Sequence, residues 1–375
     1  MTAHRALRTL AGVLAALSGC HLYSGTRAGV GADGVTQVVA RLLGSAADPD
    51  KHDASVTALV AMGPAAIPGL AAGLGDADDE VRLTAVEALG KIGGTQVVEP
   101  LVRALDDQSW NVRLNAVQVL GQLRDARAVQ PLLDQYARDD DPQVRYECLT
   151  SLGGIGDPAA TELLVRETAN ADPYVRMWAM DALCTMGDAR ASALAVGLTK
   201  DPNRFVRAQT LRSCGSVLDS PDGQQALIEL SLFAADFESS VLARRQLAAA
   251  VRRRPDDAQL TGRMRRAGHE ALQGEQATRA ALLLAVSGDA RCGPQLIAAL
   301  RDANPLLRQE AAYLIAQVDA HDAVPALIKA LADPEPVVAA TAYDSLQQFA
   351  AAGDARARAA ASTYRGKKFD RALER

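Results

Sequence analysis

One spacing constrains this chain more than any other feature. Asp76, Asp107, Asp139, Asp201 and Asp302 each stand six residues before an arginine: Arg82, Arg113, Arg145, Arg207 and Arg308. Asn170 stands six before Arg176. The first five arginines in chain order follow Val81, Val112, Val144, Val175 and Val206, and these Val-Arg pairs are 31, 32, 31 and 31 residues apart. Eight residues after each arginine comes a small residue: Gly90, Gly121, Gly153, Cys184, Gly215 or Ala316. A fixed period of this size marks a row of stacked supersecondary units that share one continuous core.

Each unit reads as a helical hairpin. From Val112 the apolar positions Val112, Leu114, Ala116, Val117, Val119 and Leu120 follow helical spacing. Asp-Pro at 141–142, 172–173, 201–202 and 333–334 reads as a helix start, because the carboxylate caps free N–H groups and proline fits the first turn. Gly121 and its equivalents suit a helix end or a close crossing. A second helix follows, as at 99–105 or 129–136, with Pro100 and Pro131 near its start. One such hairpin cannot bury its apolar faces alone, whereas a row of them can.

The spaced Asp and Arg, the Ala85, Ala116 and Ala179 that follow the Val-Arg pair, and the Leu-Gly steps at 89–90, 120–121 and 152–153 resemble the HEAT repeats, especially the short phycobilin-lyase-like group. The resemblance covers residues 52–350. It implies an all-α fold, an α-solenoid of about nine or ten stacked hairpins. It also implies a ladder of hydrogen bonds between neighbouring repeats, carried here by Asp76, Arg82, Asp107, Arg113, Asp139, Arg145, Arg176, Asp201, Arg207, Asp302 and Arg308. About function a fold of this kind is nearly silent.

Residues 1–19 have the order of a signal peptide. Arg5 and Arg8 form a basic start, and Leu10 to Leu17 an apolar stretch too short to remain as a spanning helix. Leu17-Ser18-Gly19-Cys20 resembles a bacterial lipobox, which implies lipidation of Cys20 as the mature N-terminus. Several acyl chains anchor a protein stably where one does not. His21 follows in place of the Asp that favours retention in the inner membrane. The expected location is therefore the cell envelope, on the periplasmic face of the outer membrane more than at the inner one. Residues 20–34 read as a lipidated flexible tether. Its Gly29, Gly31 and Gly34 match the letters of a dinucleotide fingerprint but lack the strand that must precede one.

The expected body runs over 35–350. It comprises a capping unit at 35–75, regular repeats at 76–235, degenerate repeats at 236–301 and regular repeats at 302–350. A basic cap or tail follows at 351–375. The chain is 49% hydrophobic but only 4% aromatic, so its helices pack through Ala and Leu. No second long apolar run stands out, and nothing is expected to span a membrane after cleavage. Cys148, Cys184, Cys214 and Cys292 replace Ala, Gly or Leu positions. They read as buried free thiols acting as small apolar residues, although an exported protein could oxidise them.

Catalytic chemistry is sparse. His21, His52, His269 and His321 are scattered, and no His-Glu-x-x-His, Gly-x-Ser-x-Gly or phosphate loop occurs. The Asp-rich turns at 76–80 and 139–141 read as helix capping, not Ca²⁺ sites. No catalytic residue, metal or cofactor is expected, and no enzyme activity. An enzyme would need titratable groups converging on the second helices, where Glu99, Arg103, Asp134, Glu162 and Arg166 are the candidates.

Two surfaces are candidates for a partner. Residues 20–235 hold 18 basic against 28 acidic residues, and 236–375 hold 20 against 17. The basic side chains concentrate in Arg244, Arg245, Arg252, Arg253, Arg254, Arg263, Arg265 and Arg266. That segment is either a solvated helix pair or a contact for anionic lipid headgroups, surface polysaccharide or an acidic protein. The second candidate is aromatic: Trp110, Tyr174, Trp178 and Phe205 fall in columns that are otherwise mostly polar or proline. These rings either form a partner surface or lie in grooves between repeats. The functional expectation is a non-catalytic protein-interaction scaffold or adaptor in the bacterial envelope, with protein partners, membrane contact through the N-terminal lipid and no nucleic acid. The competing expectation is an accessory or ligand-binding factor for an envelope enzyme.

Overall fold

The computed structural model describes residues 32–46, 48–215, 219–272 and 276–364. The signal peptide, Cys20, the tether as far as residue 31 and the tail beyond 364 lie outside the described residues. Every described regular element is an α- or 3-10 helix. The tether ends sooner than expected: Gly34 already belongs to helix α1, Ala32–Ala46. The fold class is the α-solenoid.

The described chain falls into two compact units that divide between Ala189 and Arg190. The first contains α1, then α2 (Pro49–Met62) and α3 (Ile67–Gly73), followed by first helices α4 (Asp79–Ile92), α6 (Trp110–Leu123), α8 (Pro142–Ile155) and α10 (Pro173–Met186). The second helices between them are α5 (Val98–Ala104), α7 (Val129–Arg138) and α9 (Thr161–Glu167). The second unit continues with α11 (Ala191–Leu198), α12 (Arg204–Ser213), α13 (Pro221–Phe233), α14 (Phe237–Arg253), α15 (Ala258–Ala271) and α16 (Ala277–Val286). It ends with α17 (Gly293–Ala299), α18 (Pro305–Gln317), α19 (Val324–Ala330), α20 (Pro336–Ala351) and α21 (Ala355–Thr363). The weakly patterned stretch from 236 to 300 thus holds full helical hairpins.

The loops before α4, α8, α10, α12 and α18 are built from two nested side-chain caps. Asp139 accepts the amide of Asp141, and Asp141 in turn accepts the amides of Gln143 and Val144 at the start of α8. Asp302 and Asn304 do the same before α18. This corrects the Asp-Pro reading at two of its four places. Pro142 and Pro173 do open their helices. Asp201-Pro202 and Asp333-Pro334 lie in the preceding turn, where the carboxylate accepts the amide two residues on and the helix starts later. The carboxylate there defines the loop and the next polar residue takes over the cap position.

Arg82, Arg113, Arg207 and Arg308 each stitch two repeats. Arg113 donates from Nη1 to the carbonyl of Asp107 in its own loop at 3.0 Å. Its Nε and Nη2 donate to the two carboxylate oxygens of Asp139 in the next repeat, both at 2.8 Å. Arg82 holds Asp107 in the same way, and Arg308 holds Asp333. Arg207 reaches Asp236, an acceptor the spacing did not point to. Arg176 donates to the carbonyls of Asn170 and Ala171. Asp76 and Asp302 cap their own loops. The rung at Arg145 differs because Asn170 is an amide where other repeats carry a carboxylate. Asn170 Nδ2 donates to Glu167, and the buried Nε of Arg145 has no partner. A planar fork matched to a carboxylate explains why this column is arginine and not lysine.

The small column sets how closely first helices approach. A Cβ on Gly153 would stand 2.6 Å from Ala182 Cα, and one on Gly121 would stand 2.9 Å from Ser151 Cα. Ser151 Oγ uses that proximity to donate to the Val117 carbonyl at 3.0 Å. The glycine is therefore required by a helix crossing, not by a helix end. Ends are marked elsewhere, as at Gly156 and Gly187 with positive φ.

Residues Asp50–Gly73 contain an 18-residue window of mean hydropathy 1.6, and the segment is long enough to cross a bilayer. This apolar stretch was not singled out from the sequence. It is divided at Gly63, where φ is 59°, and Val56, Leu59 and Leu70 are buried in the core of the first unit. Its hydropathy is that of a packed helix pair. Cys148 and Cys292 are buried free thiols, and burial pushes Cys292 up to about 11. Cys184 and Cys214 are disulfide-bonded, so the expectation of four free thiols is corrected for these two.

Candidate binding surfaces

The aromatic residues occupy particular helical positions. Trp110 is the first residue of α6, and Tyr174 and Phe205 are the second residues of α10 and α12. Each is about half exposed, because the first turn projects beyond the packed stripe. Trp178, one turn further along α10, is half-buried. Tyr174 packs on Tyr146, with ring centroids 5.9 Å apart, and Tyr146 donates its hydroxyl to Asp172. Burial, with the Asp172 carboxylate close by, pushes that phenol up to about 12. Arg204 lies 4.7 Å over the Phe205 ring. Trp110 belongs to a separate repeat from Tyr174. The column shared by Tyr174 and Phe205 continues with Leu306 and Val337, both exposed, which the aromatic search missed because they are aliphatic.

The arginine segment does not form one patch. Its residues lie on α14 and α15, consecutive in sequence, with Arg254 just past the end of α14. Arg244 is 1% exposed and cannot meet a partner from outside. It donates from Nε and Nη2 to Glu310 at 2.6 and 2.7 Å, and from Nη1 to the Ser231 carbonyl and Ser240. Arg253 and Arg254 pair with Asp219 at 2.8 and 3.2 Å. Arg263 donates to the Pro221 carbonyl, and Arg265 to the Ser287 carbonyl. Arg254, Arg263 and Arg266 line a hollow of about 490 Å³ that also carries Asp219 and Asp257. Arg245 and Arg252 make no hydrogen bond or ion pair among the described residues, and they face a different groove.

That groove measures about 870 Å³ and runs along first helices of the second unit. Phe237, Val241, Arg245, Ala248 and Arg252 line one wall from a single face of α14. Leu306, Gln309 and Tyr313 come from α18, and Thr341, Asp344 and Gln348 from α20. Helix α16, between α14 and α18 in sequence, contributes only Val286 to the lining. It has 10 residues, against 17 in α14 and 13 in α18. The Arg244–Glu310 pair spans α14 and α18 at the base. Nothing in the repeat pattern pointed to this groove, since its walls meet across 66 residues.

The titratable side chains named on the second helices do not converge. Glu99 pairs with Arg103 on its own helix at 3.8 Å, Asp134 accepts from Gln130, and Arg166 pairs with Glu167. An unforeseen motif is the Asp-Ala-Arg turn at 125–127, 289–291 and 354–356, where the arginine folds back onto the aspartate. Arg127 holds the Asp125 carboxyl down at about 2. His269 joins the second of these turns through Asp289 at 2.9 Å. Among the described residues no three His, Cys, Asp or Glu side chains gather as metal ligands.

Nested caps, the interrepeat arginine fork and close-packed first helices define a short-repeat α-solenoid. The sequence model of the HEAT-repeat family matches residues 35–110, 67–142, 98–170 and 293–367, which together make up more than half of the chain. The chain belongs to the HEAT-repeat family. No curated protein matches its sequence. Among solved structures it is similar to Kap95p, described with RanGDP, at a TM-score of 0.61 and 14% identity over 92% of this chain and 53% of that one. Kap121p bound to Ste12p gives 0.52 and 13% identity over 92% and 45%. The chain spans about half the length of these two proteins. The phycocyanin lyase CpcE–CpcF complex of Nostoc sp. PCC7120 gives 0.36 and 20% identity over 71% and 97%, a likeness too slight to build on.

Proposed function

We propose that this protein is a non-catalytic HEAT-repeat scaffold that binds protein partners in a bacterial envelope, anchored by lipid at Cys20. The observation that carries the binding role is that each unit holds large apolar side chains about half exposed on first helices: Trp110 and Tyr174 in the first, and Phe205, Leu306 and Tyr313 in the second. A repeat stack has no packing need to present them to water, and large aromatic side chains of this kind dominate interface energetics. Solved structures of Kap121p bound to Ste12p and bound to Nup53p supply the precedent of a similar fold holding a protein partner. Export is supported by the signal-like order of residues 1–19 and by disulfide-bonded Cys184 and Cys214, since disulfides persist in oxidising compartments. His21 after Cys20 favours the outer membrane.

Photo-crosslinking amino acids placed at Trp110, Tyr174 and Phe205 in living cells should give discrete protein adducts. Tyr174→Ala and Phe205→Ala should reduce recovery of the same partner, and moderate salt should not. The scaffold reading falls if none of these positions yields a protein adduct.

A further inference from the structure

We infer that the groove between α14, α18 and α20 is a docking site for an extended acidic peptide segment of a protein partner. The inference rests on the scaffold reading and names the surface and the chemistry of its ligand.

The groove exists because of how its base is held. Helix α16 is short and leaves room above it, and Arg244 and Glu310 join α14 to α18 through two parallel bonds. With Arg244 buried and further tied to Ser231 and Ser240, that pair serves as a neutral, rigid base. Arg212 is likewise neutralised by Glu238 at the rim.

Two cations remain. Arg245 and Arg252 line the α14 wall, are exposed, and have no partner among the described residues. They are seven positions apart, two helical turns, so their stems are separated by about 10 Å along the wall. A peptide in the extended polyproline II conformation advances about 3.1 Å per residue with three residues per turn, so acidic side chains three positions apart share one face and match that separation. The facing wall is apolar at Leu306 and Tyr313, both about half exposed, and Phe237 closes the α14 side. An apolar side chain between the two acids would bury against these three. Asp344 on α20, which has no hydrogen bond or ion pair among the described residues, disfavours a ligand that is acidic on every side and orients the carboxylates toward α14. The charged lining of the groove, Arg212, Arg244, Arg245 and Arg252 against Glu238, Glu310 and Asp344, favours the same sign of ligand.

A random twelve-residue peptide library displayed on phage, panned on the full chain in detergent, tests this directly. Enriched peptides should carry two Asp or Glu residues three apart with an apolar residue between or beside them. Synthetic versions, followed by fluorescence anisotropy, should bind at least tenfold more weakly to Arg245→Glu/Arg252→Glu and to Tyr313→Ala. Arg253→Glu, on an arginine already paired with Asp219, should leave binding unchanged. Arg245→Lys/Arg252→Lys keeps the charge, and retained binding there excludes misfolding as the cause of the loss. The inference is overturned if no peptide is enriched, if enriched peptides lack acidic residues, or if the glutamate pair leaves their binding intact. Arginine-dependent binding of anionic phospholipid vesicles without any peptide binding overturns it too. In-cell adducts from first-helix positions outside the groove, with no peptide selected here, would leave the scaffold standing and remove this site.

Discussion

Arg113→Ala probes the interaction on which the stack depends. Arg113 is 13% exposed and the Asp139 side chain is fully buried. The substitution removes two charge-assisted bonds to Asp139 and the bond to the Asp107 carbonyl. Breaking a buried ion pair by removing one partner costs about 3–5 kcal/mol. Asp139 keeps donors in Gln135 and the Asp141 amide, which places the loss near the lower bound, about 3 kcal/mol. For a body of 150–250 residues this corresponds to a melting temperature lower by about 6–12 °C. The deficit must also depend on pH. Burial pushes the Asp139 carboxyl up, but bonds from Arg113, the Asp141 amide and Gln135 outweigh it and hold the group below the usual carboxylate range. A carboxyl depressed in the folded state contributes stability above its unfolded pKa and loses it as pH falls through the folded one. Removing Arg113 raises the folded value, so the gap between parent and variant is complete at pH 7 and narrows below about pH 4. Thermal melts by circular dichroism at both pH values measure it. A shift under about 1 °C at pH 7, or a gap that widens in acid, would refute a structural ladder.

Three further outcomes follow from the geometry. Gly153→Ala should destabilise by about 1–3 kcal/mol in denaturant titration despite alanine's better helix propensity, because its Cβ meets Ala182 backbone at 2.6 Å. Equal or greater stability would show that first helices can separate freely. Glu310→Ala should cost about 3–5 kcal/mol, because it strands the buried guanidinium of Arg244, and hydrogen exchange should rise first in α14 and α18. Exchange unchanged there would refute the base of the groove. Cys20→Ala should move the protein from the membrane to the soluble envelope fraction, and unchanged partition into detergent would remove the lipid anchor.

The amino-acid sequence by itself determined the repeat, because its signals are local and recur. A cap, a Val-Arg pair and a small residue at constant spacing dictate a helix start, a close crossing and, where the next repeat supplies a carboxylate, an interrepeat fork. A ladder between neighbouring repeats was implied by the resemblance to HEAT repeats, and the structure shows Arg113 holding Asp139 in the next one. Tertiary structure decided what no period carries. Arg244 stood in a run of arginines that read as one basic surface, yet it is buried against Glu310, which lies 66 residues away. Arg245, its neighbour, is exposed, because adjacent residues on a helix point about 100° apart and only packing chooses which one is covered. The disulfide-bonded Cys184 and Cys214 were equally invisible, because sulfur pairing depends on distance in space and not on phase in the repeat. The groove itself arises where α16 falls short of its neighbours. A departure from periodicity has no periodic signal, and its consequence appears only once the flanking helices close over it.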